Sequence, residues 1–261
     1  MKIKLSIFFA LSLLYSGLTA QNIDTAFKYY HAGRFDRAAM EFEKILPYLQ
    51  KIYGTTDTAY YTWYLFYTAD CFSKDHKYTR AEDYFLRAKD IYEKKNGQNS
   101  PNYLIAINKL AESYRLDYKY AEAEKYYLQS LDISSSRFGE ESSQYSIPLS
   151  NLASLYQKSG SYQKAEPLFL KSLEISQKLF GMEDPRTAAD INNIGAFYDD
   201  LGDYAKAGSF FLRALKIREK DPGPDSPEYA ISANNLAELY FKTGRYEEAE
   251  SLYLKALSVV R

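Results

Sequence analysis

The sequence predicts an all-α fold: a right-handed α-solenoid, or superhelix, of about six helix-turn-helix repeats. Three observations predict it. The stretch Tyr162–Ile175, YQKAEPLFLKSLEI, recurs in close form at Tyr78–Ile91, Tyr120–Ile133, Tyr204–Ile217 and Tyr246–Val259, so its leading tyrosines fall at 78, 120, 162, 204 and 246, each 42 residues after the last. A looser copy opens at Phe35. A repeat of this length is one small supersecondary unit stacked on copies of itself. Helix start and stop signals keep the same step. So does an alternation of small and aromatic residues within each helix.

The start signals are Ser100-Pro101, Ser142, Asp184-Pro185 and Ser226-Pro227. A Ser or Asp side chain satisfies open backbone N–H groups at a helix start, and Pro at the first helical position forfeits no bond there. Gly97, Gly139, Gly181 and Gly223 stand where the second helices should end in the left-handed conformation, and Gly54, one residue early, accounts for a single longer step. The repeats are expected over approximately 22–53, 58–97, 100–139, 142–181, 184–223 and 226–261.

Inside each first helix a small residue recurs, at Ala26, Ala69, Ala111, Ala153, Gly195 and Ala237, with an aromatic three later. Inside each second helix Ala38, Ala81, Ala123, Ala165, Ala207 and Ala249 are followed four residues on by Phe42, Phe85, Tyr127, Phe169, Phe211 and Tyr253. Small residues let helices approach, and the rings fill the space beside them. Most of the 27 tyrosines sit at fixed places in the repeat. Such side chains suit seams that are apolar at one end and wet at the other. Pro148 and Pro167 lie past the first turn of their helices, where a local bend is expected.

The first twenty residues read differently. Lys2 and Lys4 precede the short apolar run Leu5–Leu14, and Ser16, Gly17, Thr19 and Ala20 form a small-residue region before Gln21. This is the pattern of a secretory signal peptide, residues 1–20, leaving a mature chain of 21–261 that is exported to the periplasm or secreted. The apolar run is too short for an ordinary span, so no transmembrane segment is expected in the mature chain. Losing two lysines and no acid moves the formal charge from −1 to −3, which leaves no basic surplus for nucleic acid. With Cys71 as the single cysteine, no internal disulfide can form.

The pattern Leu152-Ala153-x-x-Tyr156, Gly160, Ala165, Phe169, Ser172 resembles the tetratricopeptide repeat, whose usual period is 34 residues. The longer step, with NNLAxLY runs and AEPLF-type second helices, looks most like the kinesin-light-chain style of that repeat. In bacteria this style is also found in exported proteins, some with a CHAT-type peptidase after the repeats. The resemblance covers residues 22–261. It implies a protein–protein interaction scaffold, not an enzyme and without cofactors, whose first helices line a concave groove. In that family Asn side chains on this wall hold the backbone of a bound extended segment.

Asn192-Asn193 and Asn234-Asn235 occupy that place, with Ser150-Asn151 and Asn108-Lys109 as counterparts. A side-chain amide both donates and accepts, so it can pair a peptide group in either sense. The candidate groove residues are therefore Asn108, Lys109, Arg115, Asn151, Asn192, Asn193, Asn234 and Asn235. The competing expectation is that one Asn of each pair ties neighbouring helices together. Trp63, Phe66 and Tyr67 are read either as an anchor pocket for an apolar side chain or as contacts against the first helix pair.

Chemistry of other kinds has little to stand on. Cys71 takes a mostly apolar register position, His76 replaces a turn glycine, and Asp199, Asp200 and Asp203 lack the spacing of a calcium loop, so no metal is expected. The last helix carries Leu252, Leu257 and Val260 with no later helix to cover them, so a downstream domain after Arg261 or a docked partner is expected. In the alternative reading the repeats are the N-terminal sensing region of a larger enzyme or receptor, such as a CHAT-type peptidase or a sensor kinase. A third is an architectural protein that assembles through its last helix.

Overall fold

The computed structural model describes residues 21–53 and 58–259. The signal-peptide reading of residues 1–20, Gly54, Val260 and Arg261 therefore lie outside the described residues. Twelve helices and no strand occur among them. They are α1 (21–31), α2 (Phe35–Tyr53), α3 (Thr58–Lys74), α4 (Tyr78–Asn96), α5 (Pro101–Leu116), α6 (Tyr120–Phe138), α7 (Ser143–Lys158), α8 (Tyr162–Phe180), α9 (Pro185–Asp200), α10 (Tyr204–Lys220), α11 (Pro227–Lys242) and α12 (Tyr246–Val259). Consecutive helices form hairpins, a first helix followed by a second. Two compact units divide the chain between Tyr126 and Tyr127, inside α6.

The helix boundaries follow from side chains that close open backbone groups. Ser100 Oγ accepts from the Tyr103 amide at 3.2 Å, Ser142 Oγ from Tyr145 at 3.3 Å, Asp184 Oδ1 from Arg186 at 2.9 Å and Ser226 Oγ from Tyr229 at 3.2 Å. The expected caps are thus in place one repeat after another. The turn inside each hairpin needs a left-handed residue. Gly160 supplies it at φ 76°, whereas His76 and Tyr118 adopt 58° and 59° with a side chain attached. α7 and α8 run through Pro148 and Pro167 without interruption, as α2 does through Pro47.

In the first unit Ala26, Ala38, Ala69 and Ala81 are fully enclosed beside Phe42, Phe72 and Phe85. In the second unit Ala153, Ala165, Ala188 and Ala207 pack with Phe169, Phe197 and Phe211. Gly195 shows why its register position must stay small: a Cβ built there would lie 2.6 Å from the Phe211 ring. Full burial of one such ring or aliphatic side chain contributes roughly 1.5–3 kcal/mol.

The tyrosines do what their chemistry suggests. Tyr198 packs among these rings while its hydroxyl donates to Glu166 at 2.7 Å; Tyr30 and Tyr84 donate in the same way to Asp70 and Glu43, each at 2.6 Å. Burial and the adjacent carboxylate push the Tyr198 hydroxyl up to about 12. No helix among the described residues is long and apolar enough to cross a membrane.

Candidate functional site

In the second unit the first helices α7, α9 and α11 carry amide residues at one register place and, one turn before it, the residues Ile147, Ala189 and Ile231. There the amides join one first helix to the next. Asn193 Nδ2 on α9 lies 3.3 Å from Ser150 Oγ on α7, and Asn235 Nδ2 on α11 lies 3.1 Å from Asn192 Oδ1 on α9. Ser232 Oγ also donates to Asn192 Oδ1, at 3.4 Å. In both bonds the second residue of a pair reaches the first residue of the pair on the preceding first helix. A residue below them, Gln157, makes the same crossing, donating to Asp200 at 2.7 Å and to the Ala196 carbonyl at 3.3 Å.

These contacts correct part of the sequence reading. Asn192 is buried, 7% exposed, and its carbonyl oxygen is taken by two donors from α11, so that oxygen is committed to the seam. Asn193 and Asn235 are half-buried and likewise tie helices together, which is the competing expectation for the pairs. Asn151 is half-buried and Asn234 exposed, and neither amide has a partner among the described residues. Asn108, in the first unit, donates to the Leu104 carbonyl of its own helix at 3.0 Å. Lys109 pairs with Glu112 at 2.8 Å, while Arg115, half-buried near the end of α5, forms no ion pair among the described residues.

The expected anchor residues separate around α3. Tyr67 is half-buried against Phe27, Tyr30 and Phe42, with ring centroids at 5.0, 5.3 and 5.8 Å, so it belongs to the core beside the first hairpin. Phe66 turns the other way and packs on Phe85 at 5.5 Å and Tyr92 at 6.1 Å. Trp63 stays 44% exposed although Tyr67 supports its ring at 4.5 Å. Of the three, only Trp63 presents a large apolar surface.

Trp63 shares its register position with residues that sequence reasoning missed. The same register position is Ile105 on α5, Ile147 on α7, Ala189 on α9 and Ile231 on α11. The three isoleucines are 54%, 58% and 53% exposed, and Ala189 is exposed as well. In an amphipathic helix an isolated Ile reads as core, so only its recurrence at one position marks it as a surface feature.

A second missed cluster lies behind the amides, between α7, α8 and α9. Asp190 accepts from Ser172 at 2.9 Å and from Ser176 and Ser150, and Ser146 meets Ser172 at 2.9 Å. Burial holds the Asp190 carboxyl above its ordinary range despite these donors. One repeat later Arg218, 6% exposed, donates to Ser232 Oγ at 2.8 Å and to the Glu228 carbonyl at 2.9 Å, and burial moves its pKa down.

Cys71 is enclosed on α3, and burial, with Asp70 beside it, pushes its thiol up to about 12. His76 bonds Tyr78 through Nδ1 at 2.7 Å. Asp199 is paired with Lys242 at 2.7 Å, Asp200 with Gln157, and Asp203 caps α10 through the Lys206 amide at 3.1 Å. Among the described residues no three His, Cys, Asp or Glu side chains gather as metal ligands would.

Comparison with known proteins agrees with this architecture. The sequence profile described as Tetratricopeptide repeat matches residues 61–136, 102–178, 144–195 and 187–261. Among solved structures the chain is similar to BtubC (BKLC) from P. vanneervenii, with 22% identity, a TM-score of 0.67, and 86% of this chain and 90% of that one covered. It is also similar to a Podosopora anserina putative kinesin light chain with TPR-like repeats, with 20% identity, a TM-score of 0.59, and 75% and 92% covered. A third is NprR in complex with its cognate peptide NprX, at 15% identity, a TM-score of 0.63, and 92% and 66% covered. A search of curated sequences found no match. The chain belongs to the tetratricopeptide repeat family.

Proposed function

We propose that this chain is a protein-binding scaffold whose first-helix face holds an extended segment or a helix of another protein. The observation that carries this reading is an apolar register position kept open to solvent within each unit: Trp63 and Ile105 on α3 and α5 of the first, and Ile147, Ala189 and Ile231 on α7, α9 and α11 of the second. A single exposed Ile means little, but a surface position held apolar through successive repeats suits contact with a partner. The amides join in as far as they are free. Asn151 and Asn234 have both donor and acceptor to offer a peptide group, while Asn193, Asn235 and Asn192 have only what their helix-to-helix bonds leave over, the Asn192 oxygen being already taken. Trp63 and Arg115 add an aromatic contact and a cation in the first unit. NprR, similar in fold, was solved with a peptide bound, which supports the same use of this architecture.

The chain acts as an exported protein in this reading, on the strength of the Lys2, Lys4 and Leu5–Leu14 pattern ahead of Ala20. The test is recovery of partners from the exported fraction with the chain and with Ile147→Glu and Trp63→Ala. Recovery should fall with each variant, and for Ile147→Glu, at a side chain 58% exposed, melting should stay unchanged. Equal recovery from all three would remove the proposal.

A further inference from the structure

Among the described helices α10 carries the largest excess of positive charge: Lys206, Arg213, Lys216, Arg218 and Lys220 stand against Glu219 alone, in a chain whose formal charge is −1. Two of these cations are used within the fold. Lys206 pairs with Asp203 at 3.2 Å, and Arg218 is buried against Ser232. The other three, Arg213, Lys216 and Lys220, follow one side of the helix over about 10 Å of its axis, since residues three, four and seven apart share a face. With Leu212 and with Glu183 from the turn before α9 they line a hollow of about 580 Å³. Described hairpins stand before and after this one, α7–α8 and α11–α12, so the hollow is not an uncovered end of the stack.

The register shows what is unusual in this row. Its middle position is an acid on three earlier second helices, Asp90 on α4, Asp132 on α6 and Glu174 on α8. On α8 that acid neutralises the row, with Lys171 at 3.2 Å and Lys178 at 3.0 Å, and Lys178 also meets Glu141 at 2.7 Å. On α10 the acid is replaced by Lys216. Lys220 keeps only Glu183, the counterpart of Glu141, at 3.0 Å. Arg213 and Lys216 form no ion pair among the described residues, and Arg213 Nη2 is buried without an acceptor. Like charges at this spacing repel, and a buried N–H left unpaired is costly, so a carboxylate from outside would relieve both.

We propose that this hollow binds an acidic segment of another protein, on a surface separate from the first-helix face of the proposed function. One carboxylate pairs with the Arg213 guanidinium, which can grip it by two parallel bonds. A second lies between Lys216 and Lys220, and an apolar neighbour covers Leu212, which is 38% exposed. A nucleic acid fits less well. Three cations on two turns of one helix follow only a short length of phosphate backbone, and Glu183 and Glu219 on the rim oppose an unbroken row of anions. A protein segment can space its acids with apolar residues. α8, with its own acid in place, holds no such segment.

The probe is a fluorescein-labelled peptide, Leu-Glu-Glu-Leu-Glu-Glu, titrated onto the full chain at low salt and read by anisotropy. Saturable binding is expected, weakening as salt rises because the charges are at the surface. Lys216→Glu, which restores the acid of the other second helices, should weaken it at least fivefold with melting unchanged, and Arg213→Gln severalfold. Lys171→Gln on α8 and Ile147→Glu on α7 should leave it within twofold. Absence of binding, binding indifferent to Lys216→Glu, or equal binding of the peptide with Gln in place of Glu would overturn the proposal. Loss with Ile147→Glu would overturn it by moving the peptide to the first-helix face. Tighter binding of a thymidine oligonucleotide or of inorganic phosphate, sensitive to Lys216→Glu, would overturn it in favour of a phosphate site.

Discussion

Asn235 Nδ2 on α11 stands 3.1 Å from Asn192 Oδ1 on α9, so an amide from one repeat is spent on the repeat before it. The family resemblance implies amides that hold a ligand; the geometry divides them into structural and free. Asn235→Ala should lower stability by about 1 kcal/mol, the net value of one such bond. Asn151→Ala and Asn234→Ala should change it by no more than about 0.5 kcal/mol. Urea unfolding of the three variants checks the division.

Gly195→Ala tests the seam between α9 and α10. The added methyl would sit 2.6 Å from the Phe211 ring, whose surroundings are fully packed. Overpacking of this kind costs roughly 1–3 kcal/mol, so the midpoint of thermal unfolding should drop. The same change at Gly208, where the nearest atom is a Leu239 methyl at 3.3 Å, should be milder.

Asp190 gives the protein a pH signature. Its carboxyl titrates above its unfolded value because burial disfavours the charge. The folded state therefore binds this proton more readily than the unfolded state, and the group's contribution to stability is greatest at low pH and is lost as pH rises through its raised pKa. Asp190→Asn should be more stable than the native chain at neutral pH, and the gap should narrow as pH falls towards the ordinary carboxylate range. Unfolding curves of both chains across that range check the sign.

Cys71 should be silent in the folded chain. A thiol that is enclosed and pushed up to about 12 has almost no thiolate at neutral pH, so iodoacetamide should leave it unmodified until the chain is unfolded in urea. Intact mass spectra before and after denaturation read this directly.

Much of the fold was legible because its determinants are local and periodic. Ser100, Ser142, Asp184 and Ser226 announce helix starts by chemistry that acts within three residues, and Gly195 announces a close approach because its counterparts are all alanine. The candidate site was legible only in outline. The paired amides at 192–193 and 234–235 mark the right face of the right helices, but adjacent residues on a helix point about 100° apart. Which one meets the next helix depends on how the helices pack. The isoleucine row escaped notice since Ile147 and Ile231 look like core in any single helix. The Asp190 cluster escaped because its serines come from positions 14 to 40 residues away and none of them is unusual alone.

The most direct test of a binding face on the first helices is site-specific photo-crosslinking. A photoreactive residue placed at Ile147 on α7, or at Leu170 on the exposed side of α8, is compared in the exported fraction. Crosslinks to a partner from position 147 and none from position 170 are the predicted result. Crosslinks from 170 alone, or equally from both, would contradict it.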